Sequence, residues 1–199
     1  MNSVLLFNFL SNIIMNYFSG QVNIKIGSVG SLSHWHRVDL LLTALNLLDS
    51  GYPGRFRLKI VGHGEEYAGL RSLEKQLNLE GKVDWLGPML HEKAFEQIGQ
   101  FDIAVLPHTL PTGTPMKLFE YAALARPIIT PDLPNLRDLF NAYEMCFVGT
   151  GSAEGIAEAV LKLTEEPESA RHLGEKAQEH VQRYSWERIV TQLLESWQK

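Results

Sequence analysis

A lysine stands at the predicted start of a helix in segment 112–127, which reads TGTPMKLFEYAALARP. Thr114 is the predicted N-cap and Pro115 the first helical residue, because both residue types are favoured at those positions. Lys117 then falls in the first turn, where the helix dipole is positive and an exposed cation costs about 0.3–1 kcal/mol. An anion bound at this helix end removes that cost, since free backbone amides and the lysine then act together on a phosphate.

Glu120 lies three residues after Lys117 and leaves two interpretations open. In the first, the two side chains form an ordinary surface ion pair worth roughly 0.2–0.5 kcal/mol. In the second, Lys117 binds a phosphate and Glu120 accepts hydrogen bonds from vicinal hydroxyls, such as those of a ribose. The neighbours Phe119, Ala122 and Ala123 favour a packed helix over a free surface, and both interpretations remain open on these residues alone.

Segment 27–37, GSVGSLSHWHR, is a second candidate binding site. Glycines after a strand allow backbone amides to approach a ligand closely, and Ser31, His36 and Arg37 add hydrogen-bond donors. The spacing matches neither the G-x-G-x-x-G fingerprint nor the lysine-containing phosphate loop, so a tight turn with exposed polar residues is the alternative. Gly-His-Gly at 62–64 is a weaker signal, which predicts a turn or a close approach of Gly62 to a ligand.

Other kinds of catalytic site find little support in the sequence. The seven histidines show no metal-ligand spacing, and His34 and His36 would form a metal pair that lacks a visible third ligand. No G-x-S-x-G elbow and no evident nucleophile–base pair is present. Cys146 is the only cysteine, which excludes an internal disulfide and a thiolate cluster and indicates a reducing, cytoplasmic setting.

Strands and helices are predicted to alternate about six times along the chain. The predicted strands are residues 22–31, 56–64, 82–87, 102–107, 127–131 and 144–150. The predicted helices are residues 38–54, 66–79, 91–101, 115–126, 133–140, 152–167, 167–185 and 185–199. The strands are short continuous apolar runs, so the fold class is α/β, with a doubly wound parallel sheet and helices on both faces.

The candidate sites all follow predicted strands. Ligands of such sheets bind beyond the carboxyl ends of the strands, so we expect these sites to meet at one edge. They comprise residues 27–37, residues 62–64, Gly87 and residues 107–117.

Length and charge narrow the class of protein. The 199 residues, 45% hydrophobic and 21% charged, fit one large globular domain or two small ones. The formal net charge of −5 argues against general binding of nucleic acid or anionic membranes.

The first 20 residues carry no charged side chain. They lack the basic region of a secretory signal, and four polar residues make them a poor membrane span. Those residues are Asn8, Ser11, Asn12 and Asn16. Helical spacing of apolar residues predicts a short amphipathic helix that covers apolar surface, with peripheral contact at the inner membrane face as the alternative.

Six segments, taken in order, resemble a known family. They are GSVGSLSHWHRVDLLLTAL, LKIVGHGEE, VDWLG, FDIAVLP, GTPMKLFEYAALARPIIT and YSWERI. In this order and spacing the chain, from about Ile24 to its end, resembles the C-terminal domain of glycosyltransferase family 4 (group 1) enzymes of the GT-B fold. The resemblance implies a Rossmann-like, nucleotide-sugar-binding domain over residues 21–199, preceded by an apolar helix or remnant over residues 1–20.

The resemblance implies a retaining transfer of a sugar from a nucleotide diphosphate sugar to an acceptor, such as a lipid, a polysaccharide or a small molecule. The helix amides and cations would stabilise the leaving diphosphate without a metal or another cofactor. The implied leaving-group cations are His36, Arg37 and Lys117. The implied nucleotide-sugar contacts are Gly30, Ser31, His36, Arg37, Gly62, Trp85, Leu86, Gly87, Thr114, Pro115, Met116, Lys117, Leu118 and Glu120.

Within those contacts, the resemblance implies a role for each group. Gly30, Ser31 and His36 match the diphosphate loop, and Lys117 matches a second phosphate contact. Glu120 matches the glutamate that binds the ribose hydroxyls. The backbone near residues 85–87 lies where the family holds the base.

Three departures from the family pattern affect the expected function. Arg37 stands where the family commonly has glycine, so it either clashes or supplies a second cation. Thr112 stands where a paired acid would contact the donor sugar. The acceptor-binding N-terminal domain has no counterpart in the sequence, so we expect a fragment or a half that pairs with a separate acceptor-domain chain. The isolated chain would then be inactive, and a non-catalytic nucleotide- or nucleotide-sugar-binding module is the alternative function.

Overall fold

The computed structural model describes residues 23–184. Two predictions lie outside this part of the chain: the apolar helix over residues 1–20 and the last helix over residues 185–199. The division into residues 1–20 and 21–199 therefore stays a prediction.

Six parallel strands form one sheet, in the order β3-β2-β1-β4-β5-β6. The strands are β1 (Ile24–Val29), β2 (Phe56–Val61), β3 (Val83–Gly87), β4 (Ile103–Val105), β5 (Ile128–Pro131) and β6 (Cys146–Val148). In the centre of the sheet, Ile26 of β1 pairs with Leu58 of β2 and with Ile103 of β4. The predicted parallel sheet is confirmed.

In the described residues, seven α-helices connect and follow these strands. They are α1 (Asp39–Gly51), α2 (Tyr67–Gln76), α3 (His91–Ile98), α4 (Met116–Ala123), α5 (Pro134–Arg137), α6 (Ala153–Glu165) and α7 (Pro167–Val181). Two single 3-10 turns are added, at His34–His36 and Gln182–Tyr184. In the described part of the chain no helix is long and apolar enough to cross a membrane.

The sheet separates two hydrophobic cores. On one face, α1, α2 and α6 pack against alternate strand residues such as Ile103 and Ile129. On the other face, α3, α4 and α7 pack against the intervening residues, such as Ala104 and Ile128. Helices therefore cover both faces, as the continuous apolar strands predicted.

The strand order reverses direction between β1 and β4. After β1 the chain turns to the face of α1, whereas after β4 it turns to the face of α4. The loops that follow these neighbouring strands diverge, and a crevice opens between their carboxyl ends. In open α/β sheets this is the position where ligands bind.

Candidate functional site

Two glycines form the floor of the crevice. Gly30, after β1, has a φ of 140°, and Gly62, after β2, has a φ of 133°. A Cβ atom on Gly62 would collide with the carbonyl oxygen of Gly30, so the two loops lie backbone against backbone. The N–H of Gly30 donates to Val61 O at 2.9 Å. This packing accounts for the glycine at position 62 without any contact to a ligand.

Helix α4 begins one residue later than predicted. Pro115 is the N-cap, with an extended ψ of 106°, and Met116 is the first helical residue. Thr114 is therefore not the N-cap, and no side chain caps the helix. The extended ψ of Pro115 delays helical hydrogen bonding, whose first bond runs from Leu118 N–H to Pro115 O at 3.0 Å.

The ammonium of Lys117 lies directly over Gly30. A Cβ atom on Gly30 would overlap with Lys117 Nζ and would lie 3.1 Å from its Cε. Burial lowers the pKa of Lys117 to about 8, against the opposing influence of Glu120. Within residues 23–184 this ammonium has no hydrogen-bond or salt-bridge partner. An anion in the crevice would supply the missing partner.

Glu120 contacts a histidine and forms no ion pair with Lys117. Its Oε1 lies 2.9 Å from Nε2 of His91, the first residue of α3. Glu120 is largely buried, with 25% of its side chain exposed, whereas His91 is 73% exposed. The surface ion pair between Lys117 and Glu120 is thus not formed in this structure, and the second carboxylate oxygen of Glu120 has no side-chain partner among the described residues.

His36 lies in the 3-10 turn after β1, on the wall of the crevice opposite Lys117. Burial lowers its pKa, and the positive charge of Lys117 lowers it further. Its Nδ1 is buried and has no hydrogen-bond partner in residues 23–184. Ser31 is exposed, and its Oγ lies 2.6 Å from Oγ of Ser33. A small cleft is lined by Gly30, Ser31, His36, Pro107 and Lys117.

Arg37 is not brought to this cluster. Its backbone is left-handed, with φ 49° and ψ 47°, which is a conformation that favours glycine. Its guanidinium donates to both carboxylate oxygens of Asp39, through Nε at 3.0 Å and Nη2 at 2.9 Å. Arginine is therefore accommodated at the glycine position, and its guanidinium is paired with Asp39, the first residue of α1.

The end of β3 contributes backbone to the same edge of the sheet. Trp85 Nε1 donates to Oε2 of Glu74 at 2.9 Å, so the indole is held against α2. Leu86 packs against the opposite core. Gly87 has a φ of 69°, and its carbonyl oxygen accepts from Gly62 N–H at 2.8 Å. The side chains of residues 85 and 86 thus serve packing, which leaves the backbone for a ligand.

The remaining predicted contacts lie at the start of α4. Leu118 is completely buried, Met116 is 67% exposed and Thr114 is exposed. Leu118 anchors the helix in the core, while the peptide groups of the first turn face the carboxyl edge of the sheet. In the part of the chain described, no group of three His, Cys, Asp or Glu side chains could hold a metal ion.

Three residues that the sequence analysis missed organise the site. The buried hydroxyl of Tyr121 accepts from Val29 N–H at 2.8 Å and so ties α4 to β1. His108 Nδ1 lies 2.7 Å from Trp35 O, and Asn135 Nδ2 donates to Gly113 O at 2.6 Å. Tyr121 lies four residues after Lys117 on the buried face of the helix, which is the one signal that the sequence contains.

The crevice offers the chemistry of an anion site. It combines an ammonium that has no partner within residues 23–184, an imidazole and the first turn of a helix, which together favour a phosphate. The carboxylate of Glu120 follows one turn later and can accept hydrogen bonds from hydroxyl groups.

A family model described as "Glycosyl transferases group 1" matches residues 18–180. An exopolysaccharide phosphotransferase of Streptomyces coelicolor is 28% identical over 167 residues, covering 79% of the chain and 17% of that protein. An uncharacterized glycosyltransferase of Haemophilus influenzae is 29% identical over 170 residues, covering 84% of the chain and 47% of that protein. The chain spans about half or less of the length of these relatives.

Solved structures show the same fold at low sequence identity. The structure of Anabaena HepE with UDP has a TM-score of 0.78 at 18% identity and covers 94% of this chain and 52% of its own. Sucrose-phosphate synthase of Thermosynechococcus elongatus has a TM-score of 0.76 at 21% identity, with 94% and 48% covered. The C-terminal domain of Francisella tularensis LpcC has a TM-score of 0.70 at 14% identity, with 82% and 87% covered.

Proposed function

Because the chain belongs to the group 1 glycosyl transferase family, we propose that it binds the nucleotide diphosphate sugar donor of a retaining glycosyl transfer. The observation that carries this proposal is the Lys117 ammonium, held over Gly30 without an anionic partner in residues 23–184. A partly buried and desolvated cation of this kind is costly, and a diphosphate would compensate for the cost. The relative HepE was crystallised with UDP and with UDP-glucose, which makes UDP the first nucleotide to test.

Each part of the crevice has a proposed role in donor binding. Lys117, His36 and the first amides of α4 neutralise the diphosphate, and so stabilise the leaving group during transfer without a metal. Glu120 accepts hydrogen bonds from the ribose hydroxyls, and the backbone at residues 85–87 holds the base. Since Arg37 is paired with Asp39, it has no part in this proposal.

The acceptor site is proposed to come from outside residues 23–184. The chain covers about half of the relatives that it matches, and the crevice holds groups for a nucleotide. We therefore propose that transfer requires an acceptor domain, from a separate chain or from further residues of a longer one, in the cytoplasm.

Calorimetry with UDP and with GDP tests donor binding by the full chain. We expect one of them to bind, and we expect Lys117→Met to weaken that nucleotide at least about tenfold, because charge-assisted hydrogen bonds to phosphate are lost. Glu120→Ala should weaken it about five- to tenfold, since the ribose loses its acceptor. Lys93→Met is the matched control, because Lys93 is an exposed lysine paired with Glu96 on α3. The absence of binding to either nucleotide at millimolar concentration would refute the proposal.

A second candidate is a module that binds a nucleotide or nucleotide sugar without catalysing transfer. Thr112 favours it, because this exposed residue stands where the related enzymes place a sugar-contacting acid. Incubation of the chain with UDP-glucose, with and without a GT-B acceptor domain, distinguishes the two. Sugar release or transfer in either mixture excludes the non-catalytic module.

A further inference from the structure

We propose that His108 is a positioning residue for the diphosphate site. It holds the 3-10 turn that carries His36 against the far wall of the crevice, through one hydrogen bond of fixed direction. The inference rests on the proposed function, because the diphosphate is the ligand that His36 is positioned to meet.

The bond crosses the crevice at its open side. His108 lies three residues after β4, whereas Trp35 lies in the turn between β1 and α1. Their strands are neighbours in the sheet, but the two chain segments then turn to opposite faces. The separation of His108 Nδ1 and Trp35 O is nevertheless only 2.7 Å. The imidazole therefore bridges two segments that the fold directs apart.

The direction of this bond sets the protonation of His108. A carbonyl oxygen only accepts hydrogen bonds, so the proton of the neutral imidazole must reside on Nδ1. Within residues 23–184 no backbone N–H donates to Trp35 O, which leaves His108 as its partner. The neutral side chain then presents the lone pair of Nε2 on its other side.

The turn is tied to its surroundings on two sides, and the ties differ in kind. On the β2 side the backbone makes two bonds, Leu32 N–H to His63 O at 3.1 Å and Glu66 N–H to Leu32 O at 3.0 Å. On the β4 side, among the described residues, the turn is held by the hydrogen bond between the His108 side chain and Trp35 O. The other backbone bonds of the turn, such as His36 N–H to Ser33 O at 2.9 Å, are internal and do not orient it.

His36 depends on this tie because it follows Trp35 directly. Its ring lies 6.0 Å from the Trp35 ring, and the backbone of Ser31, to which it hydrogen bonds, belongs to the same loop; its buried Nδ1 has no hydrogen-bond partner among the described residues. Loss of the bond to Trp35 O would let the turn move away from β4, and His36 would move with it. The distance between His36 and Lys117 would then widen, and both must contact the same diphosphate.

Two substitutions at position 108 distinguish the effect of the hydrogen bond from the effect of the imidazole ring. His108→Asn keeps a side-chain N–H near the position of Nδ1, whereas His108→Ala removes it. Calorimetry with UDP should show affinity within about twofold of wild type for the asparagine variant and about five- to tenfold weaker for the alanine variant. His34→Ala is the control for the turn itself, because His34 is exposed and its side chain makes no hydrogen bond across the crevice to any residue in the range 23–184, and its UDP affinity should stay within about twofold of wild type.

A second measurement needs no nucleotide. Long-range ¹H–¹⁵N spectra of the histidine side chains in the free, full-length chain should show an Nδ1-protonated imidazole whose signals are lost in His108→Asn, while those of His172 and His180, whose Nδ1 atoms also face oxygen acceptors, remain. A neutral His108 that carries its proton on Nε2 overturns the inference, because Nδ1 would then have no proton to donate to Trp35 O. Equal UDP affinities of the alanine variant and wild type also overturn it while leaving the proposed function intact. If wild type binds neither UDP nor GDP, the proposed function fails as well, whatever the tautomer.

Discussion

Lys117 is placed where its charge is unfavourable in the free protein. Its charge is partly buried over Gly30 with no anionic partner in residues 23–184, so the unliganded fold carries an unfavourable electrostatic contribution. We predict that Lys117→Met raises the free energy of unfolding by about 1 kcal/mol while it abolishes tight UDP binding. Urea denaturation measures the first effect, with Lys93→Met as the exposed control. Destabilisation by Lys117→Met would contradict the idea that this cation is uncompensated.

The pKa of Lys117 also predicts how UDP affinity depends on pH. With a pKa of about 8 the lysine is mostly charged at pH 7 and mostly neutral at pH 9. If the bound anion requires the charged form, affinity should fall about tenfold across this range, whereas a lysine of ordinary pKa would leave it unchanged. Calorimetry at both pH values, repeated with Lys117→Met, isolates this contribution.

Lys117 should also make the free energy of unfolding of the free protein increase with pH in alkaline solution. The native state loses the proton above pH 8, whereas the unfolded chain keeps it until its ordinary pKa of 10.5. The unfolded state therefore binds more protons in this window, and the free energy of unfolding increases with pH. Comparison of urea unfolding of wild type and Lys117→Met at pH 8 and pH 9.5 measures it; a difference that does not change with pH would contradict the shifted pKa.

Arg37 allows a test of backbone strain that is independent of function. Its left-handed conformation costs roughly 1–2 kcal/mol for a residue with a Cβ atom, and glycine avoids this cost. Part of the stability that glycine gains is offset, because glycine is more flexible in the unfolded chain. Both Arg37→Gly and Arg37→Ala lose the bond to Asp39, so their difference reports the backbone. We predict that the glycine variant is more stable by about 1 kcal/mol in urea unfolding. Equal stabilities would show that the left-handed turn is relaxed.

Residue types and spacing pointed to Lys117 and His36, but their partners could not be predicted. The i,i+3 rule predicted Lys117 as the partner of Glu120. In the structure the partner of Glu120 is His91, which lies 29 residues earlier. Short-range rules score neighbours on one helix, and they contain no information about which loop packs beside it. The His108 bond spans 73 residues and was missed for the same reason.

At the scale of elements, α4 is fixed by Tyr121. The hydroxyl satisfies Val29 N–H at the end of β1, and the Tyr121 side chain is completely buried in the core. Tyr121→Phe leaves that N–H without its partner, so we predict a loss of about 1–3 kcal/mol in the free energy of unfolding. UDP affinity should also fall, because α4 carries Lys117. Tyr143→Phe is the control, since Tyr143 is 82% exposed, and an unchanged stability of Tyr121→Phe would contradict the anchoring role.

Element positions were predicted well where the signal was a continuous apolar run. The strand predicted over residues 56–64 is Phe56–Val61, and the helix predicted over residues 38–54 is Asp39–Gly51. The strand was drawn too long because Gly62 and Gly64 belong to the turn. The start of α4 was misplaced because threonine and proline fit two successive cap positions, and the ψ of Pro115 decided between them.

At the scale of the molecule, the convergence of the candidate sites on one edge is confirmed, whereas the neighbours within the sheet could not be predicted. Alternating strands and helices require a parallel sheet, but they do not state that β1 lies between β2 and β4. That order follows from long-range pairing, and it creates the crevice between the loops after β1 and β4.

Ligand binding should stabilise the whole described domain through this crevice. A nucleotide at 100 times its Kd adds about 2.7 kcal/mol to the free energy of unfolding when it binds only the native state. We predict that UDP at one concentration raises the Tm of wild type more than that of Lys117→Met, as measured by calorimetric scanning, because the variant binds UDP at least about tenfold more weakly. An equal rise in both would place the nucleotide away from Lys117.

The contact of Gly62 with the carbonyl of Gly30 has a consequence for redesign of this protein. Gly87, Gly62 and Gly30 are stacked in series beneath Lys117, so backbone thickness alone sets the span from the end of β3 to the ammonium. No side chain lies within this stack, so its height cannot be adjusted by a change of rotamer. An engineer who wants another base should vary the residues around Leu86 and leave Gly30 and Gly62 untouched, since a Cβ atom there would collide with Lys117 Nζ or with the carbonyl oxygen of Gly30.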